Sequence, residues 1–288
     1  MKTWLLALLL IPMTTHAGID QYPEDREYTN LDKGYTQYGA PSLHRTGKYA
    51  LTFDDGPHGV KTPKILDTLK KYKVQATFFV VTSQITDSNF HIVKRILDEG
   101  HILASHGRAH DNSTKITKDE WKTKVKQSFL DLSKWYKKAG HPFNKFYYRF
   151  PYAAYGGRKD HHHMNTLKEI SKELLKDNCI QFAFWDIDSG DWIPGMSPQE
   201  VFQNFKASNE GGKFITYKTM RVNGKLTQVK VRTEIEEPTQ GGVVLQHDIQ
   251  ESSVGGTELF LKYAQENHLE IIPLDKVEEF SVTKNCKL

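Results

Sequence analysis

Two adjacent carboxylates, Asp54 and Asp55, close the apolar run of Leu51-Thr52-Phe53-Asp54-Asp55-Gly56-Pro57 and lead into a Gly-Pro turn. At a strand end such a pair can divide labour, one acid ligating a cation while the other moves a proton. The same letters suit an ordinary Asx turn, so the pair alone decides nothing. Farther on, His106 and His110 stand four residues apart, close enough for both imidazoles to converge on one ion from a helical turn or a tight loop. Arg149 can hold a carboxylate in a fixed fork, and Pro151 stiffens the turn that presents the next backbone N–H. Asp186, Asp188 and Asp191 crowd before Trp192, and His247 sits in Gln246-His247-Asp248. Two histidines and one carboxylate would leave an open position on zinc for water. A second carboxylate could then take a proton and a remaining histidine give one, which is metal-assisted hydrolysis of an amide or ester.

These residues need elements that bring them together, and the sequence supplies a strand–helix rhythm. Tyr49 to Phe53 predicts a buried strand, Lys64 to Tyr72 a helix with Ile65, Leu66 and Leu69 on one face, and Ala76 to Val81 the next strand. Phe90 to Glu99 is an amphipathic helix stopped by Gly100, and His101 to Ser105 is a strand running into the histidine pair. Thr117 and Glu120 form a capping-box pattern ahead of a long helix through Ala139, with Trp121, Val125, Phe129, Leu132, Tyr136 and Ala139 apolar. Phe146 to Phe150 and Ile180 to Trp185 predict strands, and a helix is expected over Asn165 to Lys176. His161, His162 and His163 fall in a loop before that helix, and their consecutive side chains diverge too much to share the functional ion. Ser197-Pro198-Gln199-Glu200 opens another helix. Phe214 to Val222 and Leu226 to Ile235 flank Asn223-Gly224, so a hairpin insertion over 212–240 interrupts the rhythm, either walling a groove or decorating the surface. Gly242 to Leu245 is a buried strand, followed by a helix at Glu258 to Asn267, a strand at Glu270 to Pro273 and a short helical tail. The alternation predicts an α/β fold, a distorted (β/α) barrel, with Asp54, Asp55, His106, His110, Arg149, Asp191, Trp192 and His247 around one bowl at the strand C-termini.

The bounds agree. Lys2, the apolar run Trp4 to Met13 and Thr15-His16-Ala17 read as a signal peptide over 1–17, too short to span a bilayer, which predicts export to the periplasm or exterior. Residues 18–47 read as an irregular arm and 48–288 as the catalytic domain. Hydrophobic and charged contents of 38% and 26% are globular values, and a net charge of +4 is too small and dispersed to point to nucleic acid. Cys179 and Cys286 are the only cysteines and can pair in an oxidising compartment, a closure stabilising by about 4–5 kcal/mol in the chain-entropy picture.

Taken together, T-F-D-D-G (52–56), H-x-x-x-H (106–110), R-x-P-Y (149–152), D-x-x-D-W (188–192) and L-x-H (245–247) resemble the five ordered motifs of the polysaccharide deacetylases, carbohydrate esterase family four with its NodB-type domain. The resemblance spans about Tyr49 to Pro273 and implies removal of acetyl groups from N- or O-acetylated glycans. It implies Asp54 as general base, and Asp55, His106 and His110 as ligands of one divalent metal, usually Zn2+. It further implies Arg149 orienting Asp54, the Tyr152 N–H stabilising an oxyanion, and His247 as general acid tuned by Asp191. Trp192 and Leu245 would line the acetyl pocket. Export favours peptidoglycan N-acetylglucosamine as substrate, with chitin, chitooligosaccharide and acetyl xylan as alternatives handled by the same motifs. A monomer acting on an acetylated glycan polymer is expected. Two departures stand out: Gly107 replaces the common Ser or Thr, removing a hydroxyl that would brace the histidine loop, and Ala153 follows Tyr152 where Gly is frequent. A glycan-binding module without turnover and a zinc amidase acting on peptides are the readings from other classes.

Overall fold

The computed structural model describes residues 38–156, 162–175, 178–222 and 224–281. The expected signal peptide, most of the N-terminal arm, His161 and Cys286 lie outside them, while Cys179 is buried and disulfide-bonded. The strands are β1 (Lys48–Asp54), β2 (Thr77–Val80), β3 (Ile102–Ser105), β4 (Tyr147–Tyr148), β5 (Gln181–Phe182), β6 (Ile187–Asp188), β7 (Gly212–Val222), β8 (Lys225–Ile235), β9 (Gly242–His247) and β10 (Glu270–Ile271). The helices are α1 (Lys61–Tyr72), α2 (Phe90–Asp98), α3 (Lys118–Ala139), α4 (His162–Leu175), α5 (Pro198–Glu210) and α6 (Glu251–Glu266). Eight strands form one parallel sheet in the order β5-β4-β3-β2-β1-β9-β6, with β10 on β1, and β7 pairs only with β8. The sheet curls into a half-barrel. The expected barrel is therefore present but open, since no ladder joins β5 to β6 among the described residues.

Period-two alternation sorts the strand residues into two layers. Tyr49, Leu51 and Phe53 of β1 point outward into a core with Ile65 and Leu66 of α1 and Phe260 of α6. Ala50 points inward with Phe79, Ala104, Tyr147 and Val243, where Ala40, Leu43 and Phe280 plug the concave side. Burial on both faces is why β1 reads as an unbroken apolar run. Inward parity continues to the strand ends, so Asp54 follows Thr52, His106 follows Ala104, Arg149 follows Tyr147 and His247 follows Leu245. Each adds its polar group to the mouth of the same concave face.

Helix starts follow their caps. Thr117 Oγ1 accepts from the Glu120 N–H at 3.2 Å, and Ser197 with Glu200 forms a complete capping box. Five expectations need correction. The strand expected over Phe146 to Phe150 contracts to β4, and that over Ile180 to Trp185 contracts to β5. A further short strand, β6, forms where a loop was expected, because Ile187 and Asp188 pair with Val244 and Leu245 of β9. His162 and His163 begin α4 instead of lying in a loop, and His163 is buried against Trp121 with its Nε2 3.0 Å from the Ser113 carbonyl. Helix α6 starts at Glu251, seven residues before the apolar pattern, since Gly255 and Gly256 allow it to touch Pro198 and Val201 of α5.

Candidate functional site

Asp54 and His247 are cross-strand partners at the ends of β1 and β9. Asp55 has the wrong parity to join them on an extended chain; its φ of 78° turns its carboxylate back to the same mouth. His110 is likewise in the left-handed region, at φ 52°, which closes the loop after β3 and brings its ring to 5.0 Å from that of His106. Asp55 Oδ1 then lies 3.4 Å from His106 Nε2 and 3.1 Å from His110 Nε2. That oxygen is buried yet makes no hydrogen bond among the described residues. His106 Nδ1 is 3.0 Å from the Arg149 carbonyl, so Nδ1 carries the proton and Nε2 keeps its lone pair toward Asp55. A buried carboxylate oxygen close to the Nε2 atoms of two histidines fits a divalent cation. These three are the metal-ligand cluster found among the described residues, with donor atoms all within 4.8 Å of one another. Burial works against the charge on Asp55, but His110 and His106 outweigh it and bring its pKa down to about 2. Burial holds the His106 pKa below the ordinary imidazole value.

Arg149 is wholly buried and fully occupied. Nη1 donates to Asp54 Oδ1 at 2.8 Å and Thr52 Oγ1 at 2.6 Å, Nε to the Ala183 carbonyl at 2.7 Å, and Nη2 to the Phe184 carbonyl at 3.2 Å. Its guanidinium lies 4.2 Å from the Phe79 ring centroid. Burial pulls its pKa down and the Asp54 charge opposes that pull. One Asp54 oxygen is thus fixed by Arg149, while Oδ2 stands 3.6 Å from His106 Nε2 at the cavity.

Across the mouth, Asp191 grips His247 twice. Its Oδ2 accepts from the His247 backbone N–H at 2.6 Å and its Oδ1 faces His247 Nδ1 at 2.8 Å. Ser253 of α6 donates to the same carboxylate and Ser252 donates to the Asp191 carbonyl at 3.2 Å. Burial disfavours the imidazolium, yet the Asp191 charge and hydrogen bond, with Asp54 and Asp55 beyond, push the His247 pKa up to about 10. Trp192 donates from Nε1 to Asp188 at 3.1 Å, which sets the indole plane, and burial raises the Asp188 pKa. Tyr152 has φ 58° and an exposed ring packed on His110, and among the described residues no acceptor takes its N–H.

All ten sequence-predicted site residues except the buried pair Arg149 and Asp191 line one cavity of about 730 Å³, and those two hold the lining residues Asp54 and His247 from behind. The cavity also takes in Asp188 of the D-x-x-D-W motif, together with Phe150, Trp185, Gln250 and three hairpin residues, Thr216, Tyr217 and Gln228, that sequence reasoning did not single out. Asp248, also missed, is buried under the Asp55 turn, accepts from Thr62 Oγ1 at 2.5 Å and is raised by burial to about 7. It leaves no room for a side chain at position 56, where a Cβ would come within 2.1 Å of its Oδ2. The hydroxyl absent at position 107 is replaced locally. Gly107 sits at φ 82°, where glycine is favoured, and its N–H donates to Ser105 Oγ at 3.1 Å, itself 2.8 Å from Ser128 Oγ.

Comparison with known proteins gives a consistent picture. The family profile described as polysaccharide deacetylase matches residues 44–170. A peptidoglycan-N-acetylglucosamine deacetylase of Bacillus cereus is 30% identical over 181 residues, covering 62% of this chain and 58% of the relative. The peptidoglycan-N-acetylglucosamine deacetylase PgdA of Listeria monocytogenes is 26% identical over 240 residues, 82% of this chain and 40% of its own length. The chain thus spans well under two thirds of both. Among solved structures, the Bc1960 peptidoglycan N-acetylglucosamine deacetylase, crystallised with a hydroxamate-bearing benzamide, superposes with a TM-score of 0.61 at 24% identity, covering 86% of this chain and 94% of that one, a likeness of fold.

Proposed function

We propose that the chain, which is similar to the polysaccharide deacetylases over residues 44–170, is a metal-dependent hydrolase removing N-acetyl groups from a cell-wall polysaccharide, with peptidoglycan N-acetylglucosamine as its substrate. The observation that carries the reading is the juxtaposition of an unsatisfied Asp55–His106–His110 cluster with a clamped Asp54 on one side and a clamped His247 on the other. Asp55, His106 and His110 would hold one divalent ion, Zn2+ by the preference of an imidazole-rich set. When bound, such an ion polarises an acyl carbonyl and acidifies water.

The chain's own groups divide the rest of the work. Asp54, with one oxygen fixed by Arg149, takes a proton from the attacking water with the other. The free Tyr152 N–H donates to the oxygen on which negative charge builds as the amide carbon becomes tetrahedral. His247, cationic because of Asp191, gives its Nε2 proton to the departing amine, and Asp191 keeps Nδ1 protonated throughout. Trp192, fixed by Asp188, and Leu245 line the space for the acetyl methyl. Asp54 and His247 each have an oppositely charged partner, Arg149 and Asp191, so a proton acceptor and a proton donor face each other across the mouth.

We further propose that residues 1–17 export the chain, that 48–288 form the catalytic domain, and that it acts as a monomer outside the cytoplasm. Extracytoplasmic action accords with relatives named for peptidoglycan, and no helix among the described residues is long and apolar enough to cross a membrane. Acetate release from purified peptidoglycan and from chitooligosaccharides, each with added zinc, with chelator and with Asp54→Ala, tests the reading. Chelator-sensitive release from peptidoglycan is expected. Release from chitooligosaccharides alone would overturn the substrate, and release from neither would overturn the activity.

A further inference from the structure

Hairpin β7–β8 is anchored only at its base. Ile215 is buried, with its N–H donating to Asn204 Oδ1 at 2.7 Å and its carbonyl accepting from Asn204 Nδ2 at 2.8 Å. Lys230 of β8 reaches the Gly195 carbonyl at 3.0 Å and both Glu200 oxygens at 2.8 Å. These bonds fasten the arm to α5 and to the loop before it. Register then places Tyr217 opposite Lys230 and Thr219 opposite Gln228, so Tyr217 and Gln228 share the face that turns toward the catalytic mouth. Both line the cavity, where the Tyr217 ring meets Trp192 edge-on with centroids 4.8 Å apart at 75°.

Neither residue is used by the fold. Tyr217 is 37% exposed, and among the described residues no hydrogen bond uses its hydroxyl or the Gln228 amide. A rigidly based strand that shows an open aromatic face and a free planar amide beside a reaction centre has the make-up of a sugar subsite. A pyranose ring offers an apolar C–H face to an aromatic ring and hydroxyls at its rim to an amide. Trp192 is held by Asp188 beside the proposed acetyl pocket, and Tyr217 packs on Trp192, so the Tyr217 ring stands next to that pocket.

We propose that Tyr217 and Gln228 form a second sugar-binding subsite, which takes the pyranose ring next to the one losing its acetyl group and makes the enzyme favour chains over single sugars. The inference rests on the deacetylase reading above. The test is kcat/KM for acetate release across N-acetylglucosamine oligomers of one to five rings, for the wild type, Tyr217→Ala, Tyr217→Phe and Gln228→Ala. The wild-type value should climb with length. Tyr217→Ala should flatten that climb roughly tenfold, Gln228→Ala less, and Tyr217→Phe should keep most of it because the ring remains. A loss by Tyr217→Ala that is equal on every length, or no loss, would overturn the subsite. A wild type inactive on every oligomer and on purified peptidoglycan would defeat the deacetylase reading instead. Calorimetric binding of the pentamer to wild type and Tyr217→Ala then decides the subsite by itself: weaker binding by the variant supports it and equal binding removes it.

Discussion

Replacing Asp191 by Asn retains its shape but removes the charge that makes His247 an acid. The shift of His247 from the ordinary 6.5 to about 10 represents roughly 5 kcal/mol of preference for the imidazolium. Asp191 supplies the largest favourable part, against burial, while Asp54 and Asp55 add smaller ones from across the mouth. With Asp191 neutral, burial works against a weaker opposition, and we expect a fall of about two units or more, close to 3 kcal/mol. A raised folded-state value contributes stability that is complete below the unfolded pKa and vanishes as pH climbs through the folded one. The metal-free variant should therefore be less stable than wild type near neutral pH, with the gap closing above about pH 10. In the enzyme the same change moves the alkaline limb of the pH–rate profile to lower pH, because the proton for the leaving amine is lost sooner. The assay is an NMR titration of the His247 imidazole in metal-free protein, alongside kcat against pH with zinc. An unshifted His247 titration in Asp191→Asn would refute the reasoning, whatever happened to the rate.

Three other outcomes follow from the same geometry. Asp54→Ala should lower kcat by about 10² to 10⁴ while bound zinc, measured by elemental analysis, stays stoichiometric, since Asp54 is outside the Asp55–His106–His110 cluster. His106→Ala should instead lose both zinc and activity, and zinc should raise the melting temperature of wild type but not of the variant. Arg149→Lys cannot reproduce four hydrogen bonds from one ammonium; leaving Asp54 and two carbonyls short of donors in a dry site should cost roughly 3 kcal/mol in denaturant unfolding.

What could be read in the sequence was whatever the backbone period alone dictates. Asp54, His106, Arg149 and His247 share inward parity with Thr52, Ala104, Tyr147 and Leu245 two positions earlier, so strands recognised at β1, β3, β4 and β9 already point them to one mouth. Asp55 and His110 were reached through their motifs, because the left-handed turns that aim them leave little mark in the letters. The sequence was least informative where polar residues are buried for a partner's sake. Glu251 to Thr257 reads as loop, yet it is the first half of a helix whose Ser253 holds Asp191 and whose glycines meet α5. Asp188 and Asp248 were named only as members of their motifs and prove to be supports, the half-buried Asp188 for Trp192 and the buried Asp248 for the Asp55 turn.

The hairpin shows the opposite limit. Its strands and turn were legible because Asn223-Gly224 and the flanking β-rich runs are local signals, and the sequence left open whether it walls a groove or decorates the surface. Which residue faces the cavity depends on register against a partner strand and on where the base is fastened. A one-residue slip of β8 against β7 would pair Gln228 with Lys218 or Met220 and put it on the opposite face from Tyr217. The bonds from Asn204 to Ile215 and from Lys230 to Glu200 are what select the register, and they join residues 11 and 30 positions apart. Specificity on this arm is therefore a tertiary property. Asp54, His106, Arg149 and His247, by contrast, take their direction from the strands that carry them, which is why their convergence could be read from the sequence while the residues facing the cavity from the hairpin could not.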